Sequence, residues 1–238
     1  MSGRAAVVTG ASSGIGRAVA LALAREGAEV FAVGRNVDAL AETVAAARQF
    51  SEARAFQIDL SAPHAIRPLV ELIEKDSNGL HILVHCAGLY HQDRMEHARI
   101  EDFDAQYATN VRAPYLLTKS LLPMLAAARG QVVFMNSSVG LAAKRAEIGQ
   151  YGATKHALKA IADSLREEVN PKGIRVLSLY LGRTATPLQE ALYRTEGKHY
   201  HPETLIQPED VASVVVQALM LPATAEVTDI SMRPMRKS

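Results

Sequence analysis

Thr9-Gly10-Ala11-Ser12-Ser13-Gly14-Ile15-Gly16 stands between an apolar run, Ala5 to Thr9, and a segment, Gly14 to Glu26, whose Ile15, Val19 and Leu23 recur at helical spacing. Strand, glycine-rich turn and helix in that order form the first half of a strand–helix–strand unit. Glycine meets two demands there: the chain must turn tightly, and the backbone must approach a bulky group with no Cβ in the way. The start of the following helix offers free N–H groups and the positive end of a dipole, which suit phosphate. The spacing is G-x-x-x-G-x-G rather than G-x-G-x-x-G, and no Gly-Lys-Ser/Thr follows, which disfavours a nucleoside-triphosphate loop. The turn favours a dinucleotide pyrophosphate; a ligand-free glycine turn is the competing reading of the motif alone.

Outward from the turn, apolar runs alternate with helical patterns. Val30 to Val33, Arg54 to Ile58, His81 to Val84, Gln131 to Met135, Arg175 to Leu179 and Val227 to Met232 read as strands. Val37 to Gln49, Pro63 to Lys75, Tyr151 to Val169 and Gln207 to Leu219 read as helices. Glu101 to Ala128 reads as one long helix kinked at Pro114. This alternation predicts an α/β fold: a doubly wound, mostly parallel sheet in a three-layer α/β/α arrangement, one Rossmann-like domain over residues 1–238. Ligands then sit outside the carboxyl ends of the strands, near Gly10, Gly34, Asp59, Cys86, Asn136 and Leu181.

The 238 residues are 48% hydrophobic, ample for one core, and 26 Lys plus Arg nearly cancel 25 Asp plus Glu. That balance argues against nucleic acid or an anionic membrane as partner. One cysteine, Cys86, excludes an intrachain disulfide and fits a reducing compartment. No apolar stretch reaches the ~18 residues of a membrane span, and no leader is evident, so a cytoplasmic protein is expected. The histidines lack metal-ligand spacing, and no metal is expected.

An acid near the end of the second strand would bond the ribose 2′-OH of NAD. Here the strand ends Val33-Gly34-Arg35-Asn36. A guanidinium grips a 2′-phosphate where a carboxylate would repel it, which favours NADP(H) over NAD(H). Asp38 suits the first turn of the next helix. Asp59 is placed either to accept from an adenine amino group or to cap the helix after Pro63.

Tyr151-Gly152-Ala153-Thr154-Lys155 puts Tyr151 and Lys155 on one helix face. Carbonyl reduction needs a hydride and a proton from a general acid. A phenol serves near neutral pH if a cation lowers its pKa, and a drop of ~3 units needs about 4 kcal/mol. Ser138 follows the fifth strand, where its hydroxyl can donate to a substrate oxygen that gains negative charge.

Taken together, these residues resemble the short-chain dehydrogenase/reductase family over nearly the whole chain, from Thr9 to the last strand. The resemblance implies a hydride-transfer enzyme acting on CH–OH or carbonyl groups. It makes Tyr151 the general acid/base, Lys155 also a ligand of the nicotinamide ribose, Ser138 the substrate-orienting hydroxyl, and Asn110 the holder of a water relayed to the lysine. It assigns cofactor contacts to Gly10, Ser12, Ser13, Gly14, Ile15, Gly16, Arg35, Asp59, Leu60, Ala87, Gly88, Tyr151, Lys155, Gly182, Thr184 and Thr186. Two departures stand out. His85-Cys86-Ala87-Gly88 replaces the family's Asn-Asn-Ala-Gly, with His85 read as structural and Cys86 as a small buried residue. Leu181-Gly182 replaces Pro-Gly, which is expected to restrain the next segment less.

That segment, Arg183 to Ile206, shapes the substrate site in the family; it reads either as a lid with an apolar lining or as a solvated helix pair. Lys144 and Arg145 are candidates to meet an acidic substrate, although solvated charges are the simpler reading. Two alternatives share the fold: an NAD-dependent epimerase or dehydratase, whose kind usually carries a larger substrate domain, and a non-catalytic dinucleotide sensor, which needs no tuned phenol. A homodimer or homotetramer is expected by analogy, through the helices around Asn110 and Tyr151.

Overall fold

β1 (Ala5–Thr9) is buried at every position and lies inside a seven-stranded parallel sheet of order β3-β2-β1-β4-β5-β6-β7. The computed structural model describes residues 1–77 and 79–236. The other strands are β2 (Glu29–Gly34), β3 (Ala53–Gln57), β4 (Ile82–His85), β5 (Gln131–Ser137), β6 (Arg175–Leu181) and β7 (Asp229–Met232). Every expected strand is present, with ends moved by one or two residues. Strand alternation divides the core. Ala6 and Val8 of β1 face one apolar layer with α1 (Gly14–Arg25), α2 (Val37–Ala47) and α8 (Pro208–Met220). Ala5 and Val7 face the other, with α3 (Ile66–Asp76), α5 (Ala113–Ala128) and α6 (Gly149–Val169).

The long helix expected over 101–128 is not continuous. α4 (Ile100–Tyr107) and α5 are separated by a π-type turn, Ala108–Arg112, in which the Ala113 N–H reaches back to the Ala108 carbonyl. Pro114 lies in the first turn of α5 rather than inside a helix. It has no N–H to return to the carbonyl four residues earlier, that of Asn110, and a wider turn accommodates the loss.

From β1 the chain builds β2 and β3 on one side, then crosses to β4 on the other. The crevice between the carboxyl ends of β1 and β4, where Thr9 and His85 are register partners, is the switch point of the sheet and the expected ligand position. Among the described residues no helix is long and apolar enough to cross a membrane.

Candidate active site

The glycine turn and the loop after β4 are built against each other. The Thr9 hydroxyl accepts from the N–H groups of Cys86 and Ala87, both at 3.1 Å. Gly10 has φ +67°, and a Cβ there would stand 2.8 Å from the Ala87 nitrogen. A Cβ on Gly16 would overlap the Gly10 carbonyl oxygen. Ser13, before α1, makes no side-chain bond to the first helical turn, which leaves those N–H groups to an anion.

These loops enclose a cavity of about 770 Å³. All the sequence-derived cofactor residues line it, from Gly10 to Thr186, together with Ser138; Asn110 does not. Arg35 is exposed at its edge, one residue before Asn36, whose side chain caps α2 by accepting from Ala39 N–H at 3.1 Å. Asp59 accepts from the Ser61 N–H at 2.9 Å and the Ser61 hydroxyl at 2.8 Å. Those bonds, aided by the charge of Arg35, hold its carboxyl below the usual range. The capping alternative for Asp59 falls away, because the turn before α3 carries no side-chain cap.

Tyr151 and Lys155 share the face that helical spacing predicts, with the Lys155 Nζ 5.7 Å from the Tyr151 ring centroid. Nζ donates to the Met135 carbonyl at 3.0 Å, which fixes the side chain beneath β5. Ser137 and Ser138 both line the cavity with Tyr151, and the Ser137 hydroxyl is near enough to lower the phenol's pKa. β5 runs two residues past its expected end, so Ser137 closes it, while Ser138 begins a short 3₁₀ turn and is exposed. The phenol also departs from expectation. Burial raises its pKa above the ordinary value, with the neighbouring Ser137 hydroxyl opposing, so the phenol keeps its proton at neutral pH.

Asn110 is buried with its side chain fully engaged. Oδ1 accepts from Leu89 N–H at 2.8 Å, and Nδ2 donates to the Leu89 carbonyl at 2.8 Å and the Thr154 hydroxyl at 3.1 Å. It clamps the loop after β4 to the π-type turn and α6. What it has left to offer a water is its main-chain carbonyl, which Pro114 cannot reach.

His85 is buried, stacked on Phe134 at 5.0 Å, with Nε2 2.8 Å from the Thr118 hydroxyl. Burial lowers its pKa to about 3, so it is a neutral structural group. Burial likewise pushes the Cys86 thiol up to about 12, leaving no thiolate at neutral pH. Leu181, free of the proline constraint, extends β6 opposite Met232. The segment after it is tied at its base, where Ala185 N–H donates to the Ile206 carbonyl at 2.8 Å and Ile206 N–H to the Arg183 carbonyl at 3.1 Å. It carries one helix, α7 (Pro187–Thr195), not a helix pair; Leu188 and Leu192 line the cavity, and Tyr193, Leu205 and Ile206 are buried. Thr184 donates to the Gly182 carbonyl at 3.2 Å, and Thr186 caps α7 by accepting from Gln189 N–H at 3.2 Å.

Two features escaped the sequence. The Tyr90 ring packs 4.6 Å from the Tyr151 ring, and its hydroxyl accepts from Arg145 at 2.9 Å and donates to Gln92 at 2.6 Å. Gln92 donates on to Glu196 at 3.2 Å, which also faces Arg145 at 3.6 Å. The loops after β4 and β5 are thus latched to the end of α7 above the catalytic phenol. Gln189, buried on α7, lines the cavity with an Nε2 that has no partner among the described residues.

Burial lowers the Lys155 pKa from 10.5 to about 8. A base depressed by folding binds fewer protons folded than unfolded between those values, so stability rises with pH across that window. Cys86 and Tyr151, whose anions burial opposes, act the other way at higher pH. The difference in unfolding free energy between the wild type and Lys155→Met isolates the lysine. It should move in favour of the wild type by on the order of 3 kcal/mol from pH 8 to 10.5, by urea denaturation without cofactor. A pH-independent difference would mean that the ammonium is solvated.

The model of the short chain dehydrogenase family matches residues 4–197. A glycine betaine reductase of Emericella nidulans is 33% identical over 98% of this chain, which spans only 19% of that protein's length. An uncharacterized oxidoreductase of Staphylococcus epidermidis is 29% identical over 97% of both chains. Among solved structures, an alcohol dehydrogenase from the archaeon Thermococcus sibiricus, complexed with 5-hydroxy-NADP, superimposes with TM-score 0.88 at 28% identity, covering 99% of this chain and 98% of its own. The L-sorbose reductase of Gluconobacter frateurii, complexed with NADPH and L-sorbose, gives 0.86 at 27%, covering 98% and 95%.

Proposed function

Because the chain belongs to the short-chain dehydrogenase family, we propose that it is an NADP(H)-dependent oxidoreductase interconverting a carbonyl compound and its secondary alcohol. The observation that carries this reading is the Tyr151 phenol, stacked over the Lys155 ammonium and sharing a cavity wall with Ser138, in the cavity that the glycine turn opens. The donor set suits a dinucleotide: an uncapped helix start and close-packed glycines for the pyrophosphate, Arg35 for a 2′-phosphate, Asp59 and Leu60 toward the adenine, Ala87 and Gly88 toward the ribose, and Thr184 and Thr186 toward the nicotinamide. NADPH in that place supplies the hydride.

The chain's own groups handle the proton. Tyr151 donates it to the substrate oxygen, and Ser138, on the cavity wall, donates a hydrogen bond to the same oxygen. Lys155 stabilises the phenolate left behind and draws a replacement proton through a water on the Asn110 carbonyl. Residues 183–206 act as the substrate lid of a single domain. Tyr107 and Tyr115, about half exposed on α4 and α5, support a homodimer or homotetramer, and the free, partly buried thiol of Cys86 supports a cytoplasmic setting.

The test is a panel of carbonyl compounds and alcohols followed by the absorbance of reduced cofactor, with NADPH and NADH in parallel. NADPH-dependent turnover is expected; binding of NADPH with no turnover on any carbonyl or alcohol would mark a sensor. Arg35→Ala should weaken NADPH binding about tenfold or more while NADH binding changes less than about twofold. Equal losses for both cofactors would remove Arg35 from the 2′-phosphate.

A further inference from the structure

A second cavity, about 460 Å³, lies against the lid segment. Its lining holds Arg183, Lys198, Arg236, His199 and His201, with Tyr193 and Thr204, and includes no carboxylate. The nearest acids already have partners: Glu196 holds Lys198 at 2.6 Å, and Glu203 holds the Nδ1 of His201 at 3.1 Å. Arg183 and Arg236 have no carboxylate within 4.0 Å among the described residues. Arg183 is positioned without one: its guanidinium lies 5.0 Å from the Tyr193 ring centroid and donates to the Tyr193 hydroxyl at 2.8 Å. An arginine fixed by an aromatic ring keeps most of its N–H fork for a planar or tetrahedral anion. Arg183, held by that ring, and Arg236 face the cavity with no carboxylate partner among the described residues, so an entering anion is attracted by both, with the Glu196-paired Lys198 beside them.

Arg183 also lines the main cavity, so the two spaces are separated by the width of one side chain. On the substrate side of the main cavity stand Lys144 and Arg145; its lining carboxylate, Asp59, belongs to the cofactor's adenosine end. The unspent amide of Gln189 adds a neutral donor on the same wall.

We infer that the substrate is an extended carbonyl compound bearing an acidic group, phosphate or carboxylate, which Arg183, Lys198 and Arg236 hold in the second cavity while the carbonyl lies at Tyr151. This rests on the reductase reading. The test titrates the full chain, saturated with NADPH so that the glycine turn and Arg35 are occupied, with inorganic pyrophosphate and separately with glutarate, by calorimetry. One saturable site per chain is expected, with a dissociation constant below about 1 mM. Affinity should fall at least tenfold in Arg183→Gln/Arg236→Gln and in Lys198→Gln, with NADPH affinity within twofold of the wild type. Tighter binding of pyrophosphate identifies a phosphorylated substrate, and tighter binding of glutarate a carboxylic one. No saturable binding of either, or binding that the substitutions leave unchanged, overturns the proposal. Turnover separates it from the reading beneath. A protein that reduces neutral ketones but binds neither anion keeps the reductase function and loses the anion site. One that binds the anion but reduces no carbonyl keeps the anion site and loses the reductase function.

Discussion

Tyr151→Phe should bind NADPH as the wild type does and lose carbonyl reduction by about 10³-fold or more. The substitution removes one oxygen and leaves the surroundings intact. The ring keeps its contact with Tyr90 at 4.6 Å, and Lys155 keeps its anchor on the Met135 carbonyl at 3.0 Å. Ser137 stays half-buried on the cavity wall with its Val139 bond at 3.3 Å, so folding should change by no more than about 1 kcal/mol. What disappears is the proton. Burial holds the phenol above its ordinary pKa, so in the empty site it is a protonated acid aimed into the cavity. His85 offers no replacement, being neutral and turned to Thr118. Cofactor binding by fluorescence and single-turnover absorbance separate the two effects. Full activity in the variant would move the acid to another residue and sink the proposed mechanism.

The sequence carried what is local. A glycine turn between an apolar run and an amphipathic helix is a feature of adjacent residues, and so is the four-residue spacing that stacks Tyr151 over Lys155. The parallel sheet followed because strand–helix alternation has few right-handed solutions. Features set by distant partners were hidden. Whether β5 stops at Met135 or at Ser137 depends on its pairing with β6, which continues to Leu181. The break at Ala108–Arg112 arises from Pro114 and is held by Asn110 reaching Leu89 and Thr154, contacts that span 21 and 44 residues. The Tyr90–Arg145–Glu196 latch joins three loops far apart in the chain, and no periodicity announces it. The histidine at the end of β4 was legible for a different reason. A lone imidazole amid strand residues has little to do but fill space, and its stacking on Phe134 bears that out.

Gly16→Ala should cost at least about 100-fold in NADPH affinity together with about 2–3 kcal/mol of stability. Gly16 lies inside α1, where alanine is the better helix former by about 1 kcal/mol, so local propensity predicts the opposite sign. The clash decides. The added methyl would overlap the Gly10 carbonyl oxygen and stand 2.6 Å from its carbon and 3.1 Å from the Ala11 nitrogen. These are backbone atoms, and none can rotate away. Gly10 cannot retreat toward β4, because its own α-carbon is already close-packed on Ala87, which the Thr9 hydroxyl holds at 3.1 Å. The turn must therefore open, which carries the N–H groups at the start of α1 away from where a pyrophosphate would lie. Gly149→Ala is the control: it too is in a helix, but a Cβ there meets nothing within 4 Å, so propensity alone acts and stability should hold or rise slightly. Urea denaturation and NADPH titration of the two variants side by side read both effects. A Gly16→Ala protein as stable as Gly149→Ala, with unchanged NADPH affinity, would show that helix and turn are not packed as closely as the structure places them, and the phosphate cradle would have to be sought elsewhere along the sheet.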